Sequence, residues 1–138
     1  MYKRQAYKLC LDILANPDAW DINLVVLPGV IYSQHSYIGA EAVNLCETRG
    51  DCFLILDPET LNATVSTVVN TVDSLDTNYA AVYYPWVKVL DADSNKTIWV
   101  PPSAVMPAVF AFNDRVGAEW FAPAGLNRGG LSLSLIHI

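Results

Sequence analysis

Asp51-Cys52-Phe53-Leu54-Ile55-Leu56-Asp57-Pro58-Glu59-Thr60 decides the fold. Five consecutive apolar residues, Cys52 to Leu56, offer no polar face to water. A strand of that kind belongs in a sheet covered on both sides, the usual setting of parallel strands. Asp57-Pro58-Glu59-Thr60 then reads as the opening of a helix with acids at its positive end. Upstream, Ile22-Asn23-Leu24-Val25-Val26-Leu27 is a second buried-strand run, ending at Pro28-Gly29. Between the two runs, Ser36 is placed to cap a helix with an apolar face of Ile38, Ala42, Leu45 and Cys46, ending near Gly50. A helix-length crossover returns the chain to the same end of the sheet, so the two strands are parallel.

The same unit repeats downstream. Val65, Val68, Val69, Val72 and Leu75 recur at helical spacing, with Thr64, Ser66, Thr67, Asn70, Thr71 and Asp73 between them. These valines are β-branched and favour strand, but the 3.6 period decides for helix. Tyr79 to Tyr84 gives a third strand. Pro85 removes a ladder donor, which implies an edge, a bulge or a change of sheet. Trp86 to Leu90 and Thr97 to Val100 flank a polar turn and read as a hairpin. Pro101-Pro102-Ser103 opens a last helix to about Asn113, with Pro107 shifting its start or kinking its first turn. Ahead of everything, residues 2–15 form a helix with apolar positions Tyr2, Ala6, Leu9, Cys10, Ile13 and Leu14, stopped by Asn16-Pro17-Asp18. The fold class is α/β: a mostly parallel three-stranded sheet flanked by helices, plus a β-hairpin near 86–100 and a following helix.

Composition narrows the function classes. The 138 residues are 53% hydrophobic and only 16% charged, which excludes intrinsic disorder. So few charges also make a lone monomer uncomfortable and point to surface buried against a partner. A formal charge of −6 repels phosphate backbones, so no nucleic-acid partner is expected. The apolar runs are too short to span a bilayer, so no membrane partner is expected either. Cys10, Cys46 and Cys52 lack metal-ligand spacing. Cys46 and Cys52 lie in apolar patterns and read as buried free thiols in a reducing compartment.

Catalysis finds little to stand on. His35, Ser36 and Asp57 have the residue types of a hydrolytic triad near the ends of the first two strand-to-helix connections. However, there is no G-x-S-x-G elbow, and His35 and Ser36 are sequence neighbours. Ser36 as a cap, Asp57 beside Pro58 and His35 as a loop residue is the simpler reading. Asp91-Ala92-Asp93-Ser94-Asn95 begins like a calcium loop, but Lys96 stands where the sharp turn needs Gly and Pro102 where the bidentate Glu should be. Leu27-Pro28-Gly29-Val30 has one glycine where a dinucleotide turn needs more. No catalytic residue, metal or cofactor is expected.

Five blocks, taken in order, resemble the tail sheath protein of contractile-tailed bacteriophages. They are Asp21-Ile22-Asn23-Leu24 leading to Leu27-Pro28-Gly29; Cys46-Glu47-Thr48-Arg49 leading to Asp51 through Pro58; Tyr83-Tyr84-Pro85-Trp86-Val87-Lys88-Val89; Val100-Pro101-Pro102-Ser103; and Trp120-Phe121-Ala122-Pro123-Ala124-Gly125-Leu126-Asn127-Arg128-Gly129. The resemblance covers most of residues 20–130 and concerns the family's middle domain, called subtilisin-like for its α/β shape and not for protease activity. It implies a structural subunit, not an enzyme, located in the virion's contractile tail after assembly in the host cytoplasm. Its partners would be other copies of the same subunit, with the tail tube protein and baseplate reached through regions missing here. Such subunits stack in six-fold rings and contract by rigid-body rearrangement during DNA delivery.

On that view residues 1–130 are a middle-domain fragment truncated at both ends, and Met1 is internal to a longer chain. Leu133 to Ile138 has no turn or capping logic and reads as the in-frame translation of a sequencing adapter, which makes 131–138 a non-native tail. Trp120, Phe121, Asn127 and Arg128 lie in a Gly- and Pro-punctuated segment, expected to be extended and to lie along the domain or a neighbour. Asp114, Arg115 and Glu119 are candidates for intersubunit ion pairs. The competing reading is a small α/β enzyme or nucleotide-binding module, with its ligand near Pro28 to His35 and Asp57 to Thr60.

Overall fold

The computed structural model describes residues 2–91, 93–118 and 120–131. Ala92, Glu119 and the expected tail from Ser132 onward lie outside them. The elements run α1 (Tyr2–Leu14), β1 (Leu24–Ile31), α2 (Ser36–Arg49), β2 (Phe53–Asp57), α3 (Val65–Val72), β3 (Ala80–Val82), β4 (Val87–Asp91), β5 (Lys96–Val100), a 3-10 turn (Pro102–Ala104), α4 (Met106–Val116) and α5 (Gly125–Arg128). The chain is α/β as the apolar runs require. One parallel sheet has the order β1-β2-β3, and β4 and β5 form a separate antiparallel hairpin.

β2 is the central strand, and its alternation organises the core. Leu54 and Leu56 join Val25, Ala42, Leu45, Cys46, Cys52 and Leu11 on one face of the sheet. Ile55 points the other way, onto Met106 and Val109 of α4. α2 buries Ile38, Gly39, Ala42, Leu45 and Cys46 and ends at Gly50 with φ +71°. Gly39 has no room for a side chain, since a Cβ there would sit 2.5 Å from the Tyr32 ring.

Several boundaries differ from the sequence expectation, each for a physical reason. β1 does not stop at Pro28-Gly29 but continues to Ile31 through a register shift between Val26 and Ile31. β1 is an edge strand, so proline's missing donor costs no ladder bond, and Gly29 at φ +83° supplies the bend. α2 starts at Ser36, with His35 at the cap position and no side-chain capping bond. α3 does not open at Asp57 to Thr60. Thr64 caps it instead, its hydroxyl accepting from Thr67 N–H at 3.3 Å, because Asp57 and Glu59 are engaged elsewhere. The expected apolar face of α1 is largely exposed, with Leu9 at 63% and Ile13 at 59%. Leu11 is buried in the core and Leu14, one of the expected positions, packs partly buried against it, because α1 meets α2 along its Leu11–Leu14 side.

Tyr84-Pro85 is a cis peptide, and the chain changes sheet there. In the hairpin, Lys88 faces Trp99 across the strands with its ammonium 4.9 Å from the ring centre. The hairpin turn is closed by Asp91, whose carboxylate accepts from Ser94 Oγ at 2.5 Å and from Asp93 N–H at 3.3 Å. Pro107 sits in the first turn of α4, where its missing N–H leaves no gap.

Candidate functional site

The carboxyl end of the sheet is tied together by its own side chains. Asp57 closes β2 and is buried. Its two oxygens accept from Ser103 N–H at 3.0 Å and from Ser103 Oγ at 2.5 Å. Burial pushes the Asp57 carboxyl above its usual range, and the two Ser103 donors oppose that shift. Glu59 accepts from Ser33 Oγ at 2.8 Å and from Thr71 Oγ1 at 2.6 Å, so it bridges the loop after β1 and helix α3. The Thr71 bond, chiefly, holds its carboxyl below the usual range. Trp86 donates its indole N–H to Glu59 O at 3.0 Å, and the Tyr84 hydroxyl donates to Ala63 O.

This arrangement decides the triad question for Asp57. Its carboxylate serves Ser103 and not His35, and Ser36 is the first residue of α2, exposed. His35 Nδ1 is buried without a partner among the described residues. Among those residues, no group of three or more His, Cys, Asp or Glu is placed to hold a metal ion. No helix among them is long and apolar enough to cross a membrane.

The opposite end has another character. Asn113 of α4 is buried and donates from Nδ2 to Phe121 O at 2.8 Å, which anchors the segment after α4. The Arg128 guanidinium lies 4.5 Å from the centre of the Phe121 ring, pinning α5 to that anchor. Pro123 and Ala124 lead into α5, so the segment from Trp120 to Gly129 is not extended throughout as expected: Gly125–Arg128 forms a helical turn. Trp120 is 84% exposed and Leu126 is 99% exposed. Val116 and residues 124–128, Asn127 among them, line an open concavity of about 710 Å³. Beside it runs a groove of about 560 Å³, lined by Leu24, Phe53, Tyr83, Phe110 and Phe121 with Asp114 at its rim.

Of the six residues expected to serve assembly, Phe121, Asn127 and Arg128 gather with Trp120 at this end. Asp114 and Arg115 are exposed on α4, and among the described residues no ion pair joins them. Arg115 lies over the Phe112 ring at 5.5 Å instead. The proposed role of Glu119 falls outside the described residues.

Sequence reasoning missed two residues. One is Ser103, which looked like a helix opener and is the partner of Asp57. The other is Arg49, whose side chain is 1% exposed. It donates to Leu14 O, to Trp20 O at 2.8 Å and in a fork to both oxygens of Asp51 at 2.8 Å. One guanidinium thus joins the end of α1, the loop after it and the α2–β2 turn. A basic residue in a helix's last turn is too common to have flagged it. Compared with known proteins, the chain matches no protein-family model and no curated protein.

Proposed function

We propose that the chain is the middle domain of a structural subunit of a contractile phage tail sheath, acting through contacts with copies of itself and not through a reaction. One observation carries this reading: the sequence blocks behind the resemblance supply the internal locks of the domain. Arg49 and Asp51 come from the second block, as does Asp57; Tyr84 and Trp86 come from the third, and Ser103 from the fourth. A subunit that moves as a rigid body needs such locks, since motion must pass through it without being absorbed.

The last block behaves differently, in keeping with an assembly role. It is anchored by Asn113 and Arg128 yet presents Trp120 and Leu126 outward. Tryptophan and arginine carry interface energy out of proportion to their number. The competing enzyme reading needs free polar groups at the carboxyl ends of the strands. There, Asp57 and Glu59 are both engaged by internal donors, which leaves the buried, unpartnered His35 Nδ1 without a carboxylate to act with among the described residues.

The test is negative-stain microscopy of the product of the uninterrupted reading frame. Tubular polymers are expected, and Trp120→Ala with Leu126→Ser should shorten or abolish them while leaving the circular dichroism spectrum intact. A monodisperse monomer that turns over a small molecule would overturn the reading.

A further inference from the structure

α2 closes at Gly50 and β2 starts at Phe53, so the chain reverses within a few residues. Gly50 N–H donates to Cys46 O at 2.9 Å, which tightens the last helical turn. The reversal stacks the two flanking thiols: Cys46 Sγ and Cys52 Sγ lie 3.4 Å apart. Both are buried in the main core beside Leu45 and Leu54, and Cys10, the third cysteine, is exposed on α1. We propose that Cys46 and Cys52 are a latent disulfide pair, closed by a small-molecule disulfide such as oxidised glutathione.

The chemistry is thiol–disulfide exchange. One cysteine thiolate attacks a glutathione sulfur and forms a mixed disulfide, and the first glutathione leaves as a thiolate that takes up the released proton. The second cysteine thiolate then attacks the protein sulfur, and the second glutathione leaves in the same way. The two cysteines lose two electrons and two protons, and the small disulfide gains them. Closure brings the sulfurs from 3.4 Å to about 2.05 Å. The connecting turn contains Gly50 in the left-handed region, a conformation that costs glycine little.

Burial sets the rate. It pushes the Cys46 thiol up to about 12, with the neighbouring Cys52 adding to the shift. Thiolate is therefore scarce in the folded chain, and the core excludes the oxidant. The bond forms during refolding or when the last turn of α2 opens. Once formed, it closes a short loop in the unfolded chain and raises stability.

The full chain carrying Cys10→Ser, which removes the exposed thiol, is refolded in glutathione buffers of graded redox ratio. It is then alkylated under denaturing conditions and weighed. The expected product is about 2 Da lighter than the reduced chain, unalkylated at both positions, and yields one peptide linked through Cys46 and Cys52. Its thermal midpoint rises by about 5–10 °C and falls back on reduction. Adding Cys46→Ala or Cys52→Ala removes the linked product whether or not the variant is as stable. Alkylation of both thiols at every redox ratio, or a midpoint lower in the oxidised chain than in the reduced one, overturns the proposal.

Discussion

α2 and α3 are the two crossover helices of one parallel sheet, and both carry apolar residues at helical spacing. Their fates differ. α2 buries five residues, three of them (Ala42, Leu45 and Cys46) packed with Leu54 and Leu56 of β2. α3 buries none, and Val65 and Val69 face outward. Periodicity reports which face of a helix is apolar. It does not report whether the fold supplies a layer to cover that face. α2 lies between the sheet and α1, whereas α3 crosses to a β3 only three residues long. The domain thus has a closed half and a bare half, and the bare half carries the more strongly amphipathic helix of the two.

The largest expected effect tests the closed half. Leu54→Ala empties a position with no exposure in the middle of β2, and the tightly packed surroundings cannot collapse onto it. A loss of about 3–4 kcal/mol in denaturant unfolding is expected. A loss under 1 kcal/mol would mean that the α2 side is as loosely packed as the α3 side.

Asp57 comes next. Asp57→Ala leaves the buried Ser103 N–H and hydroxyl without acceptors, at an expected cost of about 2–3 kcal/mol. Asp57→Asn keeps an acceptor for the N–H and a donor for the hydroxyl, and carries no charge. Burial raises the Asp57 carboxyl in the folded chain above its unfolded value. The stability that this group contributes is therefore full at low pH and is lost as pH rises through the folded value. Asn does not titrate, so the midpoint of Asp57→Asn relative to the parent should climb between pH 4 and pH 7. A difference that is flat with pH, or that falls, would show that the Ser103 donors outweigh burial.

A smaller loss is expected at Arg49. Arg49→Lys keeps the charge but cannot span the Asp51 fork and the Leu14 and Trp20 carbonyls together. The thermal midpoint should drop by about 3–5 °C. If α1 contributes little to the closed half, the drop will be absent.

Much of this layout was legible in the residues. Cys52 to Leu56 marked a strand covered on both faces, and Ile38, Ala42, Leu45 and Cys46 marked the buried side of α2 without error. What could not be read were contacts between residues far apart in sequence. Asp57 looked like a helix-opening acid because nothing near it in the chain announces Ser103, 46 positions away. The start of α3 was misplaced for the same reason, since both acids assigned to its first turn are held by Ser103, Ser33 and Thr71. In α1, apolar positions surround so much of the wheel that the pattern could not choose between Leu11 and the Leu9–Ile13 side. The assembly end was marked by its aromatics, but the Asn113 anchor under Phe121 was not, because a lone asparagine in a helix has no distinguishing neighbours.

The smallest expected effect is the sharpest test of the bare half. Val65→Thr with Val69→Thr preserves shape, changes helix propensity little and replaces two exposed methyl groups with hydroxyls. Exposed positions of this kind shift stability by no more than about 0.5 kcal/mol each. Unfolding of the dilute chain should therefore match the parent, while Leu54→Ala under the same conditions does not. A loss approaching that of Leu54→Ala would mean that α3 is packed in solution against something other than its own sheet. Repeating the melt at several chain concentrations separates the two origins. Cover supplied by a second copy weakens on dilution, because association is governed by mass action, whereas cover supplied from within the same chain does not.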